Sequence, residues 1–103
     1  MSKFILCDTG FQMEFENGCT ASVQFGNHHY CNNIPKKEYE DSFGILLESK
    51  NAEVAAFDKD FNFITNRIID IYDDVNGYAS VEDVLDFLTK VRNYRNEDWL
   101  AMQ

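Results

Sequence analysis

Residues 11–25 read "FQMEFENGCTASVQF". Phe11, Met13 and Phe15 alternate with Gln12 and Glu14. Beyond "ENG", Cys19, Ala21, Val23 and Phe25 alternate with Thr20, Ser22 and Gln24. Period-2 patterning on both sides of Asn17-Gly18 specifies a β-hairpin. Parity decides its loop. A two-residue Asn17-Gly18 turn would set Phe15 opposite Thr20 and split the apolar face. A three-residue loop of Glu16, Asn17 and Gly18 sets Phe15 opposite Cys19 and keeps all seven apolar side chains together. Such a loop needs a left-handed residue at its end, and Gly18 adopts that conformation without steric cost.

The remaining elements are placed outward from this hairpin. Residues 4–7 form a short strand, and "DTG" turns the chain into the hairpin. "GILLE" (44–48) and "EVAAF" (53–57) flank "SKN" and read as a second strand pair. "DKD" (58–60) then turns the chain into "FNFIT" (61–65), where Phe61 and Phe63 share a face. Residues 68–72, "IIDIY", fit a strand or one helical turn equally. Ser80 is a helix N-cap with Asp83 at the capping-box position. Val81, Val84, Leu85, Leu88 and Val91 supply an apolar stripe, and the charges run from acidic to basic along the helix dipole. The spacing predicts a helix from about Val81 to Tyr94. Residues 26–43 show no period, hold the only proline, Pro35, and exceed the usual loop length. The expected architecture is one small α+β domain over residues 1–103: a curled antiparallel sheet of five or six strands with one C-terminal helix packed on it.

The chain has 103 residues, 45% apolar, 15% aromatic, with a net charge of −9. That composition suits a single packed domain. The negative charge disfavours direct contact with nucleic acid. No run reaches the ~18 apolar residues of a membrane span, and the N-terminus lacks the core of a signal peptide. A cytoplasmic setting is expected. Cys7, Cys19 and Cys31 form no C-x-x-C pair and read as free thiols. A small core and many aromatics favour self-association, with a homodimer as the expected state.

Several chemistries compete for the polar residues. Cys19, His28, His29 and Cys31 do not have the spacing of a closed zinc site. "DKDFNF" starts like a calcium loop at Asp58, Asp60 and Asn62, but Phe63 and Ile69 stand where glycine and glutamate are required. Cys31 with His28 or His29 lacks an orienting third group, and no motif supports an enzyme. No cofactor or metal is expected. The segment "QFGNHHYCNNI" (24–34) instead offers stackable rings and neutral hydrogen-bonding groups suited to a nucleobase or ribose edge. Gln24, Asn27, His28, Tyr30 and Asn33 are the candidate ligand-binding residues, at a pocket completed by a second subunit, with Cys31 packed inward. Asp70, Asp73, Asp74, Glu82, Asp83 and Asp86 form an acidic run that could mimic phosphates toward a basic protein groove.

"FQMEFENGCTASVQFGNHHYCNN", "NAEVAAFDKDFNFIT" and "VNGYASVEDVLDFL" together resemble a group of small uncharacterised bacteriophage accessory proteins with a similar F-E-N-G…S-V-Q-F-G…Y-C-x-N pattern. The resemblance runs from Phe11 to Leu88. It implies a counter-defence role in the host bacterial cytoplasm. Two forms of that role are expected: sequestration of a nucleotide-derived immune signal, or direct inhibition of a host defence protein by an acidic surface.

Overall fold

The computed structural model describes residues 2–7, 9–25, 33–36 and 46–95, with residues 33–36 and 46–48 described by their backbone alone. Five strands form one antiparallel sheet: β1 (Lys3–Cys7), β2 (Gly10–Glu14), β3 (Thr20–Gln24), β6 (Asn51–Phe57) and β7 (Asn76–Ser80), in the order β1-β2-β3-β6-β7. A two-stranded ladder pairs β4 (Asn33–Lys36) with β5 (Leu46–Ser49). A one-turn helix, α1 (Thr65–Ile68), follows β6, and the C-terminal helix α2 (Val81–Arg92) follows β7. This is the expected α+β class, an open curled sheet with a helix on one face. No helix among the described residues is long and apolar enough to cross a membrane.

The central hairpin has the register that parity requires. Phe11 pairs with Val23 and Met13 with Ala21. The Phe15 N–H donates to the Cys19 carbonyl at 2.9 Å, and the Gly18 N–H donates to the Phe15 carbonyl at 2.9 Å. Gly18 has φ of 86°, the left-handed geometry the three-residue loop demands. At the other end, a Cβ on Gly10 would collide with the Val23 carbonyl oxygen, so β2 lies against β3 only because that position is glycine.

Ala21, Val23, Val54, Ala56, Ala79 and Ile64 fill the core beneath α2, whose Phe87 and Val91 are its buried residues. The capping box is present: Asp83 N–H donates to Ser80 Oγ and Ser80 N–H donates to Asp83 Oδ2, each at 3.1 Å. The helix differs from expectation in two ways. Its buried stripe is rotated toward Phe87, leaving Val81 and Leu85 each 60% exposed. It also stops at Arg92 instead of Tyr94, because Asn17 in the hairpin turn takes over its last carbonyls. Asn17 Nδ2 donates to the carbonyls of Val91 (2.8 Å), Arg92 (3.2 Å) and Tyr94 (3.0 Å). Asn17 Oδ1 accepts from Cys19 N–H at 2.9 Å.

Further expectations are corrected. Residues 46–48, the described part of the first of the two expected strands, do not pair with 53–57. β5 pairs with β4, while β6 is an interior strand between β3 and β7. The cause is length: only Lys50 separates β5 from β6, too little chain to close a hairpin. The aperiodic stretch 26–43 contains a strand, β4, despite Pro35. In a two-stranded ladder both strands are edges, where proline is tolerated. Residues 61–65 form no strand beyond one bridge from Phe63 to Phe57. Phe61 and Phe63 do not share a face, because Phe61 has a φ of 63° and stands 78% exposed. The helical alternative is realised earlier than 68–72, at α1. There Thr65 Oγ1 accepts from Ala56 N–H (2.9 Å) and donates to the Asp74 carbonyl (2.6 Å), tying the loop to the sheet.

The Asn17 contacts make a stability prediction. Asn17→Ala removes the amide hydrogens shared among the Val91, Arg92 and Tyr94 carbonyls and should cost about 2 kcal/mol in urea denaturation. Asn17→Asp should cost at least as much, since it also places a negative charge at the helix C-terminus.

Candidate functional site

The turn end of the central hairpin, the β6–α1 turn and the end of α2 enclose a cleft of about 480 Å³. Each wall has a local reason to be there. Asn17 stands at the hairpin turn and Cys19 at the foot of β3. Arg67 comes from α1, and Tyr94 and Arg95 from the segment that Asn17 holds as it leaves α2. Asp58, Lys59 and Asp60 belong to the turn after β6. That turn repeats the hydrogen bonds of the central hairpin: Asp58 N–H donates to the Asn62 carbonyl (2.9 Å) and Phe61 N–H to the Asp58 carbonyl (3.0 Å). Phe61 occupies the place that Gly18 holds in the first turn. A bulky residue at positive φ is strained, and this ring is exposed.

The Asp58 carboxylate offsets that strain. Its Oδ1 accepts from Asp60 N–H and Asn62 N–H, both at 2.9 Å, and Oδ2 accepts from Asn62 Nδ2 at 3.1 Å. Burial on its own would raise the Asp58 carboxyl. The Asn62 and Asp60 donors and the Arg67 charge outweigh it and hold the group below the ordinary carboxylate range. The three residues of the calcium-like spacing, Asp58, Asp60 and Asn62, are thus joined in one hydrogen-bonded turn. The Cys19 thiol is pushed up by burial and, second, by the Asp58 charge, which keeps it protonated and weakly nucleophilic.

The cleft mixes both signs of charge, with cations in excess. Lys59, Arg67 and Arg95 line it, three of nine basic residues in a chain of net charge −9. Arg67 Nη1 approaches the Tyr94 hydroxyl at 3.5 Å. Alongside the Asp58 and Asp60 carboxylates the cleft holds two guanidinium groups, an ammonium group and a phenol, while the Asn17 amide is committed to the end of α2 and to Cys19. That set suits an anion with a flat or polar body.

The residues expected to bind lie elsewhere. Gln24 is at the far end of β3 from Cys19, about 15 Å along the strand. Its amide is engaged within the sheet: Thr9 Oγ1 donates to Oε1 at 2.6 Å, and Nε2 donates to Ser22 Oγ at 3.0 Å and the Phe11 carbonyl at 3.4 Å. Asn33 begins β4, opposite Ser49. Asn27, His28 and Tyr30 lie outside the described residues, as do His29 and Cys31. A second, apolar groove of about 280 Å³ lies at that end, between Phe11, Phe25 and the Val84, Leu85 and Leu88 side of α2. Val84 and Leu88 pack against the core, while Leu85 lines the groove and is exposed.

Sequence reasoning missed the basic cleft because its cations are 36 positions apart and share no local pattern. The scarcity of basic residues was the available signal. Among the described residues, no group of three or more His, Cys, Asp or Glu side chains is placed to hold a metal ion. No family model, curated protein or solved structure matches the chain.

The turn chemistry carries a pH prediction. Asp58 is held below its unfolded value near 3.9, so its contribution is present above that value and lost as pH falls through the folded one. Asp58→Asn should be less stable than wild type at neutral pH. Urea midpoints of the two proteins should converge as pH falls through the lowered folded value of Asp58.

Proposed function

We propose that the protein is a non-catalytic binding protein that captures a small anionic, nucleotide-like ligand. The observation that supports this most is the gathering of Lys59, Arg67 and Arg95 around one cleft in a chain whose net charge is −9. An acidic protein repels anions everywhere its field is uniform, so an anion site needs a local reversal of sign. Arginine forks bind phosphate oxygens in pairs. Tyr94 offers an aromatic face for a base. In the setting implied by the resemblance to phage accessory proteins, the ligand would be a nucleotide immune signal and the role sequestration in the host cytoplasm. Asn27, His28 and Tyr30 stay in this reading as candidate contacts in their own right.

The alternative, direct inhibition of a host defence protein, draws on the exposed Asp70, Asp73, Asp74, Glu82, Asp83 and Asp86 and on the exposed rings of Tyr72 and Tyr78. The two readings separate by charge. Ligand capture should be lost in Lys59→Glu/Arg95→Glu and unaffected by Asp73→Asn/Asp74→Asn. Blocking of a basic partner should show the opposite pattern.

A thermal-shift screen with cyclic dinucleotides and ADP-ribose derivatives tests the first reading. A ligand at a hundredfold excess over its dissociation constant stabilises by about 2.7 kcal/mol, a shift on the order of 10 °C for a domain this size. That shift should vanish in Arg67→Ala/Arg95→Ala. If it survives there and vanishes in His28→Ala/Tyr30→Ala, the ligand sits on the 24–34 segment and the cleft assignment is wrong. No shift with any anionic nucleotide removes the proposal.

A further inference from the structure

Strand β1 is an edge of the five-stranded sheet, and no described strand covers its outer side. The central hairpin determines which of its main-chain groups face outward. Phe15 and Cys19 form a hydrogen-bonded pair at the turn, and such pairs alternate along an antiparallel ladder. Met13 and Phe11 therefore direct their N–H and C=O groups to β3, while Glu14, Gln12 and Gly10 direct theirs to β1. The partners of those three are Lys3, Ile5 and Cys7. Phe4 and Leu6 are left with their N–H and C=O groups pointing away from the sheet. Their side chains are also the exposed ones, at 78% and 92%.

Natural edge strands are protected by proline, bulges, inward charges or brevity. β1 has none of the first three. Its register with β2 is continuous from Lys3–Glu14 to Cys7–Gly10, and its one charge, Lys3, is at the outer end with Glu14 3.6 Å away.

We propose that β1 is a homodimer interface, in which it pairs antiparallel with β1 of a second copy about a two-fold axis at Ile5. Three features select a second copy over an unrelated strand. The edge is self-complementary: its two outward-facing residues flank one central residue, so Phe4 of each copy forms a hydrogen-bonded pair with Leu6 of the other. The same pairing sets an exposed Phe beside an exposed Leu twice on the helix face, removing both from water. Charge permits it: residues 3–7 hold one lysine and no carboxylate, so this edge is where two chains of net charge −9 meet least repulsion. The product is a continuous ten-stranded sheet with an α2 helix on each half.

The register is testable residue by residue. Light scattering at micromolar concentration should give twice the 12.0 kDa chain mass. Leu6→Lys, and separately Leu6→Pro, should give single-chain mass with unchanged far-UV dichroism, since neither position 6 side chain nor its N–H contributes within the chain. In a Cys7→Ser/Cys31→Ser background, Ile5→Cys should form a disulfide dimer under diamide. The Ile5 positions face each other as a non-hydrogen-bonded pair with Cα atoms about 4.5 Å apart, within disulfide reach. Phe4→Cys in that background should not cross-link, because its counterpart lies diagonally about 7–8 Å away. A wild-type particle of single-chain mass, a dimer that survives Leu6→Lys, or equal cross-linking at positions 4 and 5 would each overturn the proposal.

Discussion

The Asn17 side chain is where the sheet and the helix become one structure. The hairpin turn that carries it is local, set by period-2 patterning and by Gly18. The helix is also local, set by its Ser80 capping box. Asn17 joins the two across 74 positions of sequence through the carbonyl of Val91. Every helix leaves its last carbonyls without internal partners, and here one side-chain amide answers that need. Because the same amide oxygen holds Cys19 N–H, the donor is oriented by the turn itself. Little side-chain entropy remains to be lost when it meets the helix.

That contact also sets where chemistry can occur. By stopping α2 at Arg92 it brings Tyr94 and Arg95 over the hairpin turn, facing Arg67 and the Asp58–Asn62 turn. The cleft is thus a by-product of how the helix ends. The β6–α1 turn adds a strained Phe61, held in place by three donors to the Asp58 carboxylate.

Legibility in the sequence followed the range of the interaction. The central hairpin, its three-residue loop and the capping box depend on residues within a few positions of one another, and they read directly. The partner of β5 did not. "GILLE" and "EVAAF" are both strand-like, and nothing local says that β5 and β6 extend until Lys50 alone separates them or that β6 needs two neighbours. Phe61 misled for a related reason: an alternating Phe61-Asn62-Phe63 looks extended, while the turn chemistry of Asp58 overrides it. The acidic run and the 24–34 segment stood out because their residues are consecutive. Lys59, Arg67 and Arg95 did not, because only the fold brings them together. Gln24 was singled out for its polar amide, which the structure places in a network with Thr9, Ser22 and Phe11.

The central claim is that the ligand-binding surface is the cleft at the Asn17 end of the sheet. An NMR titration of the 15N-labelled chain with the nucleotide giving the largest thermal shift tests it most directly. The account predicts saturable amide shifts at Asn17, Lys59, Arg67, Tyr94 and Arg95, with Phe25, Asn51 and Leu85 unmoved. Shifts concentrated at Phe25, Asn33 and Asn51, with the cleft silent, would contradict it.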